Sequence, residues 1–310
     1  MTNCGATHEN CCTSLEVTGG TYYRTYDAVF DAGVYAGAVL AADGGPTGEG
    51  DPAMVSTFRL DKYEVTLGRY RQFVNAWAAG WLPAAGSGKH SHLNGGLGLA
   101  SSAGAGTYET GWVSADNSNV SPTNANLNCA ATLSNWTPSV GIDENLPINC
   151  VNSYEALAFC IWDGGFLPSE AEWGHAAGGG SQQREYPWGS IDPGTGYQYS
   201  IYDCHYPSGS GPCTSVASVV PAPVGTATLG AGLWSQLDLA GSVAEWNLDW
   251  FSDYVNPCVD CAYLAPDPGR VFRGGDLASS ASDLLVPHRL PLNPAARTYY
   301  LGFRCARSAP

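Results

Sequence analysis

The chain has 310 residues, of which 44% are hydrophobic, enough to bury a substantial core as one large domain or two ordinary ones. Its 28 acidic residues against 13 basic ones give a formal net charge of -15 with no basic cluster, which excludes a protein that holds nucleic acid or an anionic membrane surface by charge. No apolar run approaches the ~20 residues of a membrane-spanning helix.

Only 13% of residues are charged, and 39 glycines with 20 prolines point to long ordered loops rather than long helices. Disorder is disfavoured by 17 tyrosines and 10 tryptophans spread through the glycine-rich parts. Eleven cysteines stand beside only 2 methionines. Several are close in sequence (Cys11 and Cys12, Cys204 and Cys213, Cys258 and Cys261), which suits disulfides in an oxidising compartment. Export is therefore expected, although no basic start followed by an apolar core opens the chain, so Met1 reads as the start of a chain whose export signal has been removed. The odd count leaves one thiol without a partner.

Residues 1–13 read as a cysteine-bearing arm ahead of a domain over 14–310. Leu15 to Tyr26 alternates toward a first strand, with Gly19-Gly20 as its turn. A Gly/Asp-rich loop is expected from Asp27 to Pro52. Its acids Asp43, Glu49 and Asp51 lack the spacing of a calcium loop and read as solvated. Phe58 to Val65 reads as a strand and Thr66 as a helix cap, with Tyr70, Phe73, Val74 and Trp77 on the buried face of the helix that follows.

From about 83 to 145 periodic signals are few, and a long insertion lying on the surface is expected. Within it, His90 and His92 would share one face of a strand, a possible two-nitrogen metal site, or else are two polar loop residues. Cys129 and Cys150 bracket the end of the insertion and can staple it to the body. Next come two short helices. Asn152 with Glu155, and Ser169 with Glu172, have the spacing of capping boxes, and Gly164-Gly165 and Gly178 to Gly180 stop the helices. Helices this short are marginal alone and must lean on a larger body. Cys204 and Cys213 can close a short loop. The Cys258-x-x-Cys261 motif is open to redox or zinc chemistry, but Pro257 before it and the lack of a second such motif favour a local disulfide.

Five motifs in order, FRLDKYEVT, LPSEAEW, YPWG, DLAGSVAEW and RVFRGGDL with LGFRCAR, spanning Phe58 to Arg307, resemble those of the sulfatase-modifying-factor family, the formylglycine-generating-enzyme-like domain. The resemblance implies a single α+β domain, related to C-type lectins, with a twisted antiparallel sheet, few short helices and much ordered loop. It implies a disulfide between Cys160 and Cys305. It also implies calcium held by carboxylates of Asp238 and Glu245 and backbone carbonyls of Gly241 and Val243. Family members that make formylglycine bind copper through two cysteines in the segment after RGGS. Here those positions are Ser279 and Leu284, the serine of RGGS is Asp276, and the first tryptophan of WEW is Ala244. Copper is therefore not expected, because Cu(I) needs soft thiolates.

The first expected function is a non-catalytic, calcium-supported binding module. Its ligand (a protein, peptide or glycan) would enter the old cleft, lined by Ala244, Asp276, Ser279, Asp283, His288 and Arg289. The alternative is a metal-dependent oxidoreductase that draws new ligands from His90, His92, His175, His205 and His288. A third reading is a structural part of a cell-surface assembly.

Overall fold

The computed structural model describes residues 2–27, 47–130, 132–209, 211–214 and 219–310. Phe58 and Leu60 alternate inward, and their strand, Phe58–Asp61, is the middle of a three-stranded antiparallel sheet. Leu60 faces Leu15 of Ser14–Val17 on one side and Ala306 of Ala306–Ser308 on the other, so strands from the two ends of the chain close on one another. The strand is shorter than the expected Phe58 to Val65. It ends at Asp61, whose buried carboxylate accepts hydrogen bonds from Arg69 at 2.8 Å and from Arg307. Gly20–Asp27 pairs antiparallel with Thr47–Val55, which pairs parallel with Cys258–Val259. The expected loop from Asp27 to Pro52 is therefore strand from Thr47 onward, while Asp43 lies outside the described residues.

A four-stranded sheet runs in the order Arg289–Leu292, Arg270–Arg273, Ala244–Trp250, Leu301–Gly302, antiparallel except for the last pair. Among the described residues there are four α-helices: α1 (Leu67–Ala78), α2 (Asn124–Leu127), α3 (Ser153–Trp162) and α4 (Glu170–Gly178). Thr66 caps α1, and both expected capping boxes are formed. Gly179 ends α4 at φ 66, a left-handed conformation that favours glycine. Tyr70 and Phe73 of α1 pack on Phe159 of α3, with ring centroids 5.7 and 5.8 Å away, and Phe303 joins them 5.3 Å from Phe159. This aromatic cluster is what the short helices lean on. The result is an α+β domain of small mixed sheets with few helices.

Five disulfides occur among the described residues. Cys129–Cys150, Cys160–Cys305, Cys204–Cys213 and Cys258–Cys261 pair as expected. Cys11 does not pair with Cys12. Neighbouring Cα atoms are only ~3.8 Å apart, short of what an ordinary disulfide spans. Cys11 reaches back to Cys4 at a Cα separation of 5.1 Å, and Cys12 is left as an exposed thiol.

The segment 83–145 does not simply lie on the surface. Leu93, Leu99, Trp112, Val120, Leu127 and Trp136 are buried, and Ala100–Ser101 pairs parallel with Cys261–Ala262. Its polar residues mislead because the burial comes from widely spaced side chains without helical or strand period.

Candidate functional site

The cleft is built where Arg270–Arg273 leaves the four-stranded sheet. Gly274 and Gly275 take φ 94 and 65 there, and a Cβ on Gly275 would stand 2.9 Å from Leu284 Cδ2 and 3.0 Å from the Asp283 carbonyl. The glycine pair turns the chain so that the next segment folds back against it. Asp276 then closes a tight turn: its carboxylate accepts from the Ala278 N–H at 2.8 Å and from the Ser279 hydroxyl at 2.9 Å. Ser280 and Asp283 form a capping box on the turn Ala281–Leu284. His288 bonds back to the Asp283 carbonyl through Nδ1 at 3.2 Å, with Nε2 3.8 Å from the Asp283 carboxylate.

Asp276, Ser279, Asp283 and His288 thus line one cavity of about 230 Å3, walled also by Phe272 and Tyr300. Burial pushes the Asp276 carboxyl above its ordinary value, partly offset by the hydrogen bonds it accepts. Two carboxyls, a hydroxyl and an imidazole facing a small concavity can hold a ligand by hydrogen bonds and can bias it toward positive charge. Phe272 and Tyr300, which the sequence reading missed, supply the apolar walls. The signal for Phe272 was available, since it alternates with Arg273 at the end of the RGG strand.

Two expected cleft residues lie elsewhere. Ala244 is fully buried in the core and enlarges nothing; its N–H donates to the Tyr300 carbonyl at 2.8 Å. Arg289 turns away to Glu170, at 2.6 and 2.8 Å, and stacks over Phe251 and Tyr254. Glu170 also takes Arg273 at 2.7 Å, and the two guanidinium groups hold its carboxyl below the ordinary value against the effect of burial. Leu284 is buried with Trp173 and Leu239 in the core, so the second family cysteine position offers the cavity no donor.

The histidines do not converge on a metal. Both nitrogens of His90 are taken by carboxylates, Nδ1 by Glu109 and Nε2 by Glu172, each at 3.0 Å. His92 is turned to Ser308, with its Nδ1 3.1 Å from the hydroxyl. His175 bonds to the Thr18 carbonyl and stacks on Trp234, while His205 packs edge-on against Tyr202. Among the described residues, no group of three or more His, Cys, Asp or Glu side chains is placed to hold a metal ion.

Of the expected calcium donors, Glu245 has other partners. Glu245 Oε1 faces Arg304 at 2.9 and 2.7 Å, and Oε2 faces Arg304 at 2.8 Å and the Trp173 indole N–H at 2.9 Å. The forked Arg304 Nε–H and the Trp173 indole thus both point at the Glu245 carboxylate. Asp238 accepts the Gly225 N–H at 2.6 Å. Arg304, fully buried, is the cation that Glu245 faces, so Glu245 as placed is committed to a guanidinium and not turned to a calcium ion. Melting of the purified protein is accordingly expected to be the same with excess calcium and with a chelator; a rise on adding calcium would show that a different donor set holds the ion.

Capped short helices on small mixed sheets, with a cleft opening behind an Arg-Gly-Gly turn, define a formylglycine-generating-enzyme-like domain. The chain belongs to the family described as "Sulfatase-modifying factor enzyme 1-like domain", whose model matches residues 5–309. It is 34% identical over 172 residues to the formylglycine-generating enzyme of Streptomyces coelicolor, a match covering 53% of this chain and 54% of that protein. The chain thus spans about half the length of this curated relative. Among solved structures it is similar to Treponema denticola variable protein 1 (TM-score 0.54, 19% identity, 96% of this chain and 95% of that one). It is also similar to PvdO from Pseudomonas aeruginosa (TM-score 0.56, 18% identity, 97% and 100%). At these identities the likeness to the two structures shows the fold alone.

Proposed function

We propose that this chain is an exported, non-catalytic member of its family that uses the cleft of Asp276, Ser279, Asp283 and His288 to bind a ligand. The observation that carries the reading is the state of the two family cysteine positions. Ser279 spends its hydroxyl on Asp276, and Leu284 is buried in the core. Neither is a thiolate, and soft thiolates are what copper chemistry on a substrate cysteine needs. No other cysteine of the described residues stands in for them: ten are in disulfides, and the free Cys12 lies in the N-terminal arm. Five disulfides suit an oxidising compartment and support export.

The test is incubation with copper, oxygen and a Cys-x-Pro-x-Arg peptide, followed by mass spectrometry. No aldehyde is expected. Turnover would overturn the reading and mean that another cysteine pair reaches the substrate.

A further inference from the structure

A larger cavity, about 510 Å3, shares no lining residue with the cleft. Leu248 and Trp250 wall it from one strand, Arg270 from the next, and Tyr154 and Leu157 from α3, while Asp116 comes from the segment 83–145. The size falls within the ~300–1,000 Å3 of small-molecule sites, and the walls mix apolar side chains with Ser101, Thr107, Glu109, Thr110, Asp116 and Arg270.

Arg270 is the informative residue. Among the described residues, seven arginines close ion pairs with carboxylates, and Arg24, Arg59 and Arg184 bond instead to several carbonyl, hydroxyl or amide oxygens. Arg270 closes none among the described residues. It stacks over Trp250, 4.4 Å from the ring centroid, and its one side-chain hydrogen bond among the described residues goes to the Leu248 carbonyl. Burial pulls its pKa down, and the charges of Tyr154, Asp249 and Asp116 only partly offset that. A half-buried guanidinium with open donors at a cavity wall is a carboxylate receptor in want of a carboxylate.

Asp116 supplies the opposite charge. It sits in the turn Ser114–Asn119, and its one side-chain contact among the described residues is the Asn119 amide at 3.4 Å. Burial raises its carboxyl, and Arg270 lowers it. Each group feels the other, yet they close no ion pair, so a gap separates a cation from an anion beside an apolar chamber. A ligand that carries a carboxylate and an ammonium on an apolar body bridges such a gap. A sugar ring is disfavoured because the guanidinium covers a face of Trp250.

We propose that this cavity binds a zwitterionic apolar amino acid or dipeptide, its carboxylate on Arg270, its ammonium on Asp116 and its side chain against Leu157 and Leu248. The site is independent of the cleft and of whether the chain is catalytic.

The test is calorimetric titration of the whole chain with L-leucine, L-phenylalanine and leucyl-leucine, against L-leucinamide, N-acetyl-L-leucine and glucose. Saturable binding of at least one zwitterion is expected, with leucinamide and N-acetyl-leucine each weaker by about tenfold or more, since each lacks one of the two charges the site pairs. Asp116→Asn removes no contact beyond the Asn119 bond. It should weaken the zwitterion about tenfold while leaving N-acetyl-leucine unchanged. Arg270→Gln should abolish the preference for leucine over leucinamide. No saturable binding of any zwitterion, equal binding of N-acetyl-leucine, or tighter binding of glucose would each overturn the proposal.

Discussion

Replacing both Cys160 and Cys305 by alanine is expected to lower stability by about 4–5 kcal/mol, the largest loss from removing any one of the five cross-links. The bond joins residues 145 apart, tying α3 to the segment between Leu301–Gly302 and Ala306–Ser308. Cross-linking so long a loop removes the most freedom from the unfolded chain. Both cysteines are fully buried, so the folded state also loses packing on sulfur. For a chain of this length the loss corresponds to a melting shift of roughly 6–8 °C. The comparison is the double alanine variant at Cys204 and Cys213, a separation of 9 residues, for which the same account gives only about 2.5 kcal/mol. If the two variants melt together, the long loop contributes nothing through chain entropy, and native-state packing must set both values.

This bond was legible only through the family resemblance, whereas other parts of the fold could be read from neighbouring residues. Capping boxes at Asn152 and Ser169 need only a side chain and a partner three residues on, so the sequence displays them directly. Cys204–Cys213 and Cys258–Cys261 are local in the same sense. Arg289 shows where local reading stops. On the chain it follows His288 and reads as a second polar group for the cleft, but along the strand Arg289–Leu292 successive side chains point to opposite faces. Arg289 goes to Glu170, a partner 119 residues away. Ala244 failed for a similar reason: a small residue in place of a tryptophan looks like added space, yet its environment in the core is fixed by Tyr300, Leu301 and Phe303 from the end of the chain. The cleft itself was readable because the Arg-Gly-Gly turn and its Asp276–Ser279 closure are local. The 510 Å3 cavity was not, because its walls come from four separate stretches.

Replacing His90 by alanine is expected to cost about 3–5 kcal/mol, because it would leave two buried carboxylates facing each other across an empty site. His90 is fully buried, its ring centroid 3.7 Å from that of Phe166, and it pins the segment 83–145 to α4 through Glu109 and Glu172. Both carboxylates are anchored further. Glu109 accepts the backbone N–H groups of His90 and Leu99 at 3.0 and 3.2 Å, and Glu172 accepts the Ser169 N–H at 2.8 Å within its capping box. Burial alone would depress the imidazole, but the charges of Glu172 and Glu109 win and raise it from 6.5 to about 10. His92 is held below its ordinary value by its own burial and then by the neighbouring charge, so it does not compete for the proton. Because the folded value lies above the unfolded one, the protonated form stabilises the fold. That contribution is fully present below about pH 6.5 and is lost as pH rises toward about 10. Urea unfolding of the native chain and of His90→Gln at pH 6, 8 and 10 isolates the effect, since glutamine keeps a polar side chain without the charge. The stability gap between the two should be widest at pH 6 and narrow steadily with rising pH. A gap that widens with pH would mean that His90 is neutral in the fold and that one of the two glutamic acids carries the shared proton.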